Sequence, residues 1–105
     1  MANTVIGSSI TIEGEISSDE ALVVQGTVKG KINLGDSMFV ENSANVEADI
    51  EAESVEVSGT VTGNITAGSR VEIKADGKMV GDVKSPRILI ADGALFKGSI
   101  DMDVG

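Results

Sequence analysis

Six times along this chain two apolar residues flank a small one, with a single polar residue between each. The triplets are Ile12–Gly14–Ile16, Val28–Gly30–Ile32, Val46–Ala48–Ile50, Val61–Gly63–Ile65, Met79–Gly81–Val83 and Phe96–Gly98–Ile100. The small residue recurs at intervals of 16, 18, 15, 18 and 17 residues. A period this short, without a helical apolar spacing, is the signature of a stacked β-solenoid. A second apolar column opens each repeat: Ile6, Leu22–Val24, Met38–Val40, Val55–Val57, Val71–Ile73 and Ile88–Ile90. Its spacing divides the chain into six coils: 6–21, 22–37, 38–54, 55–70, 71–87 and 88 onward.

Within each coil apolar and polar residues alternate, as in Val55-Glu56-Val57. Period two means strand, with alternate side chains facing in and out. No ten-residue window carries helical spacing, so no helix is expected. The fold class read from this pattern is all-β: a right-handed parallel β-helix of about six coils of 16–17 residues, three short strands per coil. Right-handedness follows from the chirality of parallel crossovers. With coils about 4.8 Å apart, six make a rod roughly 29 Å long. The aligned glycines are expected where a narrow interior leaves no room for a side chain. Coils three, five and six carry two extra residues before the small-residue column, including the turn-forming Asp76-Gly77 and Asp92-Gly93 steps. The domain organisation expected is a short tail 1–5, one solenoid domain 6–103 and a tail 104–105.

Composition supports a narrow core. Aromatic residues make up 2% of the chain, yet 41% is apolar; Ile, Val, Leu, Ala and Gly can stack coil upon coil. There is no Cys, hence no disulfide and no thiolate site, which fits a reducing cytoplasm. No apolar run approaches the ~20 residues of a membrane helix, and Met1–Ile10 does not read as a signal peptide.

Net charge is −9, and it is lopsided. Residues 1–69 hold eleven acids and two bases; residues 70–105 hold six of each. Direct nucleic-acid binding is not expected, because phosphate contacts need a basic face. The acids Glu47, Asp49, Glu51, Glu53 and Glu56 read either as a solvated wall or as an acidic face for a basic partner.

Catalysis is not expected. There is no His, and carboxylate pairs such as Glu13/Glu15 alternate with inward residues and so face water, without the desolvation that acid catalysis by a carboxyl uses. The six-residue rhythm of hexapeptide acyltransferases, the calcium-binding glycine-aspartate nonapeptide and the stacking aromatics of a sugar-binding face are all missing. No cofactor, metal or small-molecule substrate is expected.

A solenoid has two ends, and each is an unpaired sheet edge. The segments outside the coils are too short for a capping helix, so both ends are expected to stay open. The opening Val5-Ile6-Gly7-Ser8-Ser9-Ile10-Thr11-Ile12-Glu13-Gly14, the coil Leu22-Val23-Val24-Gln25-Gly26-Thr27-Val28-Lys29-Gly30-Lys31-Ile32 and the closing Ala94-Leu95-Phe96-Lys97-Gly98 are similar to a bactofilin domain. The resemblance covers nearly the whole chain. It implies a bacterial cytoskeletal protein that polymerises end to end without nucleotide, into non-polar filaments whose like ends meet. Those filaments are expected to position cytoplasmic protein partners in cell-shape, cell-wall or chromosome organisation. Family members that reach the membrane use longer flanks than this chain has, so membrane proximity is expected only through partners. The resemblance also associates Phe96 with the polymer contact.

The contact residues expected at the C-terminal end are Phe96, Leu95, Ile100 and Met102; at the N-terminal end they are Ile6, Ile10 and Ile12. One coil end offers about 400 Å² per partner, half of a standard interface. With about 60% of the ~800 Å² total apolar, burial yields roughly 12 kcal/mol against about 4–15 kcal/mol for association. Area alone is therefore marginal, and the open strand edges are expected to pair as well. Val23, Phe39 and Leu89 lie between inward residues, so they point outward, as isolated exposed residues or as a lateral patch for bundling. The alternative to a filament is a non-polymerising solenoid whose acidic wall recruits a basic protein.

Overall fold

A computed structural model describes residues 4–101 of the chain. All ten elements are strands, all pairings are parallel, and each strand pairs with its counterpart one coil away. The order is β1 (Thr4–Ile6), β2 (Thr11–Ser18), β3 (Leu22–Val24), β4 (Thr27–Leu34), β5 (Met38–Val40), β6 (Asn45–Val57), β7 (Thr60–Ile73), β8 (Lys78–Lys84), β9 (Ile88–Ile90) and β10 (Leu95–Asp101). This is a parallel β-solenoid of about six turns, measuring 33 × 27 × 24 Å.

Each coil has three sides. Side A is the short strand of each coil, such as β3. Sides B and C are the two halves of the longer strand, such as β4, which bends at its glycine. The strands are therefore fewer and longer than three per coil: β4 runs eight residues around one corner, and β6 runs thirteen around two. Inward columns fill the interior. Val28, Val46, Val61 and Met79 stack from side B, and Ile32, Ile50, Ile65 and Val83 stack from side C, all essentially without solvent contact.

The glycines are not inside. Gly30 has φ +128° and is exposed at the corner between sides B and C, so that Val28 and Ile32 both face inward from different sides. A Cβ placed on it would overlap the Gly14 carbonyl oxygen of the preceding coil. The constraint is thus the stacked backbone next door, together with a φ that L side chains avoid, rather than a crowded core. Gly14 has a closely similar φ, +131°, but no described coil precedes it, and nothing lies within 4 Å of its missing Cβ.

The first coil opens at Thr4, because Ile6 pairs with Val24 rather than with Leu22. Four-residue turns at the corner between sides A and B occur in coils three, five and six, as the insertions predict, and also in coil one. Each is closed by a backbone bond: Ile10 N–H to the Gly7 carbonyl at 3.0 Å, Ala44 to Glu41 at 3.0 Å, Gly77 to Lys74 at 2.9 Å and Ala94 to Ala91 at 3.1 Å. The only buried polar side chain among the described residues is Ser85, just before Pro86. Its Oγ donates to the Arg87 carbonyl at 2.9 Å, satisfying it at a corner where proline supplies no N–H.

Candidate functional site at the ends of the solenoid

Among the described residues no element covers either end, so the inward columns break off at the surface there. At the C-terminal end β9 and β10 leave Ile90 45% and Ile100 42% exposed, while Ile88 and Phe96 are only partly buried. The same columns are sealed one coil deeper, at Ile73, Val71, Met79 and Val83. Stacking on one side only leaves aliphatic surface that a further coil would cover, beside the unpaired edges of β9 and β10.

The N-terminal end is smaller in apolar terms. Ile6 is buried, and Ile12 and Ile16 are partly buried against the core. Ile10 is 46% exposed. It closes the turn of coil one, in a column whose other members are Gly26, Ala44, Gly59, Gly77 and Ala94. A Cβ on Gly59 would overlap the Glu41 carbonyl oxygen of the preceding coil. Large side chains are thus excluded inside the stack. Ile10 is accommodated because no described coil precedes it.

The structure divides the expected contact residues. Phe96 and Ile100 do stand at the C-terminal end and Ile10 and Ile12 at the N-terminal one, whereas Ile6 is shielded. Leu95 is at the right coil but faces sideways. It is in register with Lys78, Thr60, Asn45, Thr27 and Thr11, an outward row on side B, because it is one residue from inward Phe96. Met102 lies outside the described residues. Ile16, Ile88 and Ile90 belong to the open ends too; the alternation that places Phe96 inward places them there as well.

Two further groupings change on folding. Val23 and Phe39 are register neighbours on side A, joined by Val5, but Glu56 and Glu72 separate them from Leu89. The apolar outward stretch is confined to coils one to three, and Leu89 stands alone. The five acids do not share a wall. Glu47 leaves side B; Asp49 and Glu51 leave side C, beyond the Ala48 corner; Glu53 sits at the next corner, accepting from Ser69 Oγ; and Glu56 leaves side A. They form a belt around coil three. Local partners occupy part of it: Lys29 Nζ is 3.9 Å from Glu47, and Asn64 donates to Asp49 at 3.2 Å.

On side A, Lys74 Nζ contacts Glu72 and lies 3.4 Å from Glu56, with Arg70 4.0 Å from Glu72. The hydrogen bond from Lys74 holds the Glu72 carboxyl below the ordinary carboxylate range and, in return, raises the Lys74 ammonium. These are partly exposed lateral ion pairs on the outer surface of side A. Among the described residues no cluster of carboxylates has metal-ligand geometry, and no helix is long and apolar enough to cross a membrane.

The family profile described as "Bactofilin: Polymer-forming cytoskeletal" matches residues 4–101, the span of the coils. Bactofilin BacO of Myxococcus xanthus is 67% identical over 104 residues, covering 99% of this chain and 82% of that protein. Bactofilin BacP of the same organism is 46% identical over 95% of this chain and 42% of its own length. Among solved structures, the cytoskeletal bactofilin BacA determined by solid-state NMR superposes with a TM-score of 0.85 at 30% identity, over 93% of each chain. A bactofilin of Thermus thermophilus, reconstructed as double helical filaments, shares the fold with a TM-score of 0.88 at 24% identity, over 95% of this chain and 99% of that one. A family match over the span of the coils and this degree of likeness lead to one conclusion: the chain belongs to the bactofilins, a structural, non-enzymatic family of polymer-forming cytoskeletal proteins.

Proposed function

We propose that this protein builds a cytoplasmic filament by joining coil to coil at its ends, like end to like end, and that the filament serves as a scaffold for other proteins. The observation that carries the reading is the contrast within single columns. Ile65 and Val83 are sealed, and Ile100, next in line, is exposed with nothing among the described residues stacked on it. Phe96, Ile88, Ile90 and Ile100 form the C-terminal contact; Ile10, Ile12 and Ile16 form the N-terminal one, each reinforced by strand-edge hydrogen bonds. Two faces per subunit make growth open-ended. The acidic belt of coil three, repeated once per subunit along a filament, would offer a basic partner many weak contacts at once, and multivalency would convert these into firm recruitment.

Negative-stain microscopy of the purified chain, without nucleotide or metal, is expected to show filaments. Phe96→Arg, which places a charge in the contact, is expected to abolish them while the circular-dichroism spectrum stays β-rich. Monodisperse particles from the unmodified chain at both low and high salt would refute the proposal.

A further inference from the structure

The two ends differ in charge as well as in apolar surface. Both differences bear on how a filament assembles, an inference that rests on the end-to-end joining proposed for this protein. Between Thr4 and Ala21 the first coil carries Glu13, Glu15, Asp19 and Glu20, and no basic side chain. Glu13 and Glu15 are exposed on either side of Gly14, at the rim of the open end. The nearest bases by register are Lys29 and Lys31, one coil behind. These also face Glu47 and Asp49 on their other side, with Lys29 3.9 Å from Glu47, so their charge is shared. Coil six, from Ile88 to Asp101, carries two acids, Asp92 and Asp101, and one base, Lys97, and coil five behind it adds three acids and four bases, so the charge near this end balances. Their end exposes Ile90 and Ile100, whereas Ile10 alone of the inward and corner isoleucines of coil one is comparably open.

A two-fold contact sets each end against its own copy. Two C-terminal ends bring aliphatic surface together with balanced charge. Two N-terminal ends set coil one of each subunit, which carries four carboxylates and no base, against coil one of the other, across a joint about one strand spacing wide, ~4.8 Å. The Debye length is ~30 Å at 0.01 M salt, so that repulsion acts in full; at 1 M it is ~3 Å, shorter than the gap. We infer that the C-terminal joint forms constitutively and that the N-terminal joint is gated by ionic strength. The unit that adds to a filament is then a dimer closed through Phe96, Ile88, Ile90 and Ile100, and the acidic N-terminal end decides whether dimers link.

Sedimentation velocity with electron microscopy, at low and high sodium chloride, tests this on the full chain. The unmodified protein is expected to sediment at twice the monomer mass in low salt and to form filaments in high salt. Glu13→Gln combined with Glu15→Gln is expected to form filaments in low salt as well. Phe96→Arg is expected to be monomeric in low salt and dimeric in high salt. If that variant unfolds, Ile100→Arg at the more exposed rim position replaces it. Filaments equally long in both salts, with no effect of the double substitution, would overturn the gating. Filaments shortened by salt would also overturn it, because they would mean that Glu13 meets Lys97 of an unlike end. Monomers at every salt concentration, the double variant included, would instead overturn end-to-end assembly itself.

Discussion

The four inner coils and the two terminal ones carry the same pattern, yet they occupy different physical situations. Val28, Val46, Val61 and Met79 have lost all solvent contact, while Ile12 and Phe96, at the ends of the same column, are only partly covered. A side chain on Gly30 would overlap a carbonyl oxygen, and one on Gly14, with a closely similar backbone angle, would meet nothing. In a solenoid each coil is held by its neighbours, so stability is close to a sum of nearest-neighbour contacts. A residue's role depends on how many neighbours its coil has, and the end coils are left with one.

The contrast between inner and terminal coils is tested most severely in the Phe96→Arg background at low salt, where assembly does not add to apparent stability. The largest difference is expected between two alanine substitutions. Gly30→Ala adds a backbone clash to a φ that costs about 1–3 kcal/mol in strain, bringing the total beyond about 4 kcal/mol, a range reserved for disrupted structure. Gly14→Ala carries the strain alone. Equal losses in urea unfolding would mean that the stacking argument is wrong. Next in size, Ile50→Ala, in the sealed core, is expected to cost about 2–5 kcal/mol. Ile100→Ala, in the same inward column but 42% exposed, is expected to cost about 1 kcal/mol or less. Restoring assembly in the unmodified background should enlarge the Ile100 effect and leave that of Ile50 unchanged.

The smallest effect concerns the lateral ion pairs, which should not distinguish ends from middle. Glu72 has its pKa lowered by Lys74, so its contribution is present above the ordinary carboxylate range and is lost as pH falls through the lowered value. Lys74 has its pKa raised, so its share is fully present below the ordinary lysine range and is lost as pH rises through the raised value. Glu72→Gln is expected to lower the melting temperature slightly at neutral pH, with the deficit vanishing in acid. Both groups are partly exposed, Glu72 to 19% and Lys74 to 45% of their side chains, and screening keeps such pairs weak. A large deficit that persists in acid would show that Glu72 acts through packing.

Much of this architecture was legible in the residues. Period two assigned every inward column, and the recurrence of the columns set the number of coils. Parity is a better guide to the open ends than side-chain size. Leu95 is large but adjacent to inward Phe96, so alternation turns it outward, and the same alternation brings Ile16, Ile88 and Ile90 to the ends. The acidic belt is different. Glu47 and Asp49 share a parity, and parity says that both face water. It does not say that a corner at Ala48 sends them to different sides, because that bend belongs to the folded backbone and not to the pattern.

The residues alone specified the repeat, the strand alternation, the aliphatic core and the absence of His and Cys, because all of these are local, periodic or compositional properties of the chain. Folding in three dimensions settled which outward residues share a side, why the glycines are needed and which isoleucines stay uncovered. Those depend on which backbone lies one coil away, and at the two ends no backbone among the described residues lies there. The reason is geometric: a corner rotates side chains that alternation treats as equivalent, and stacking buries a coil only where another coil adjoins it.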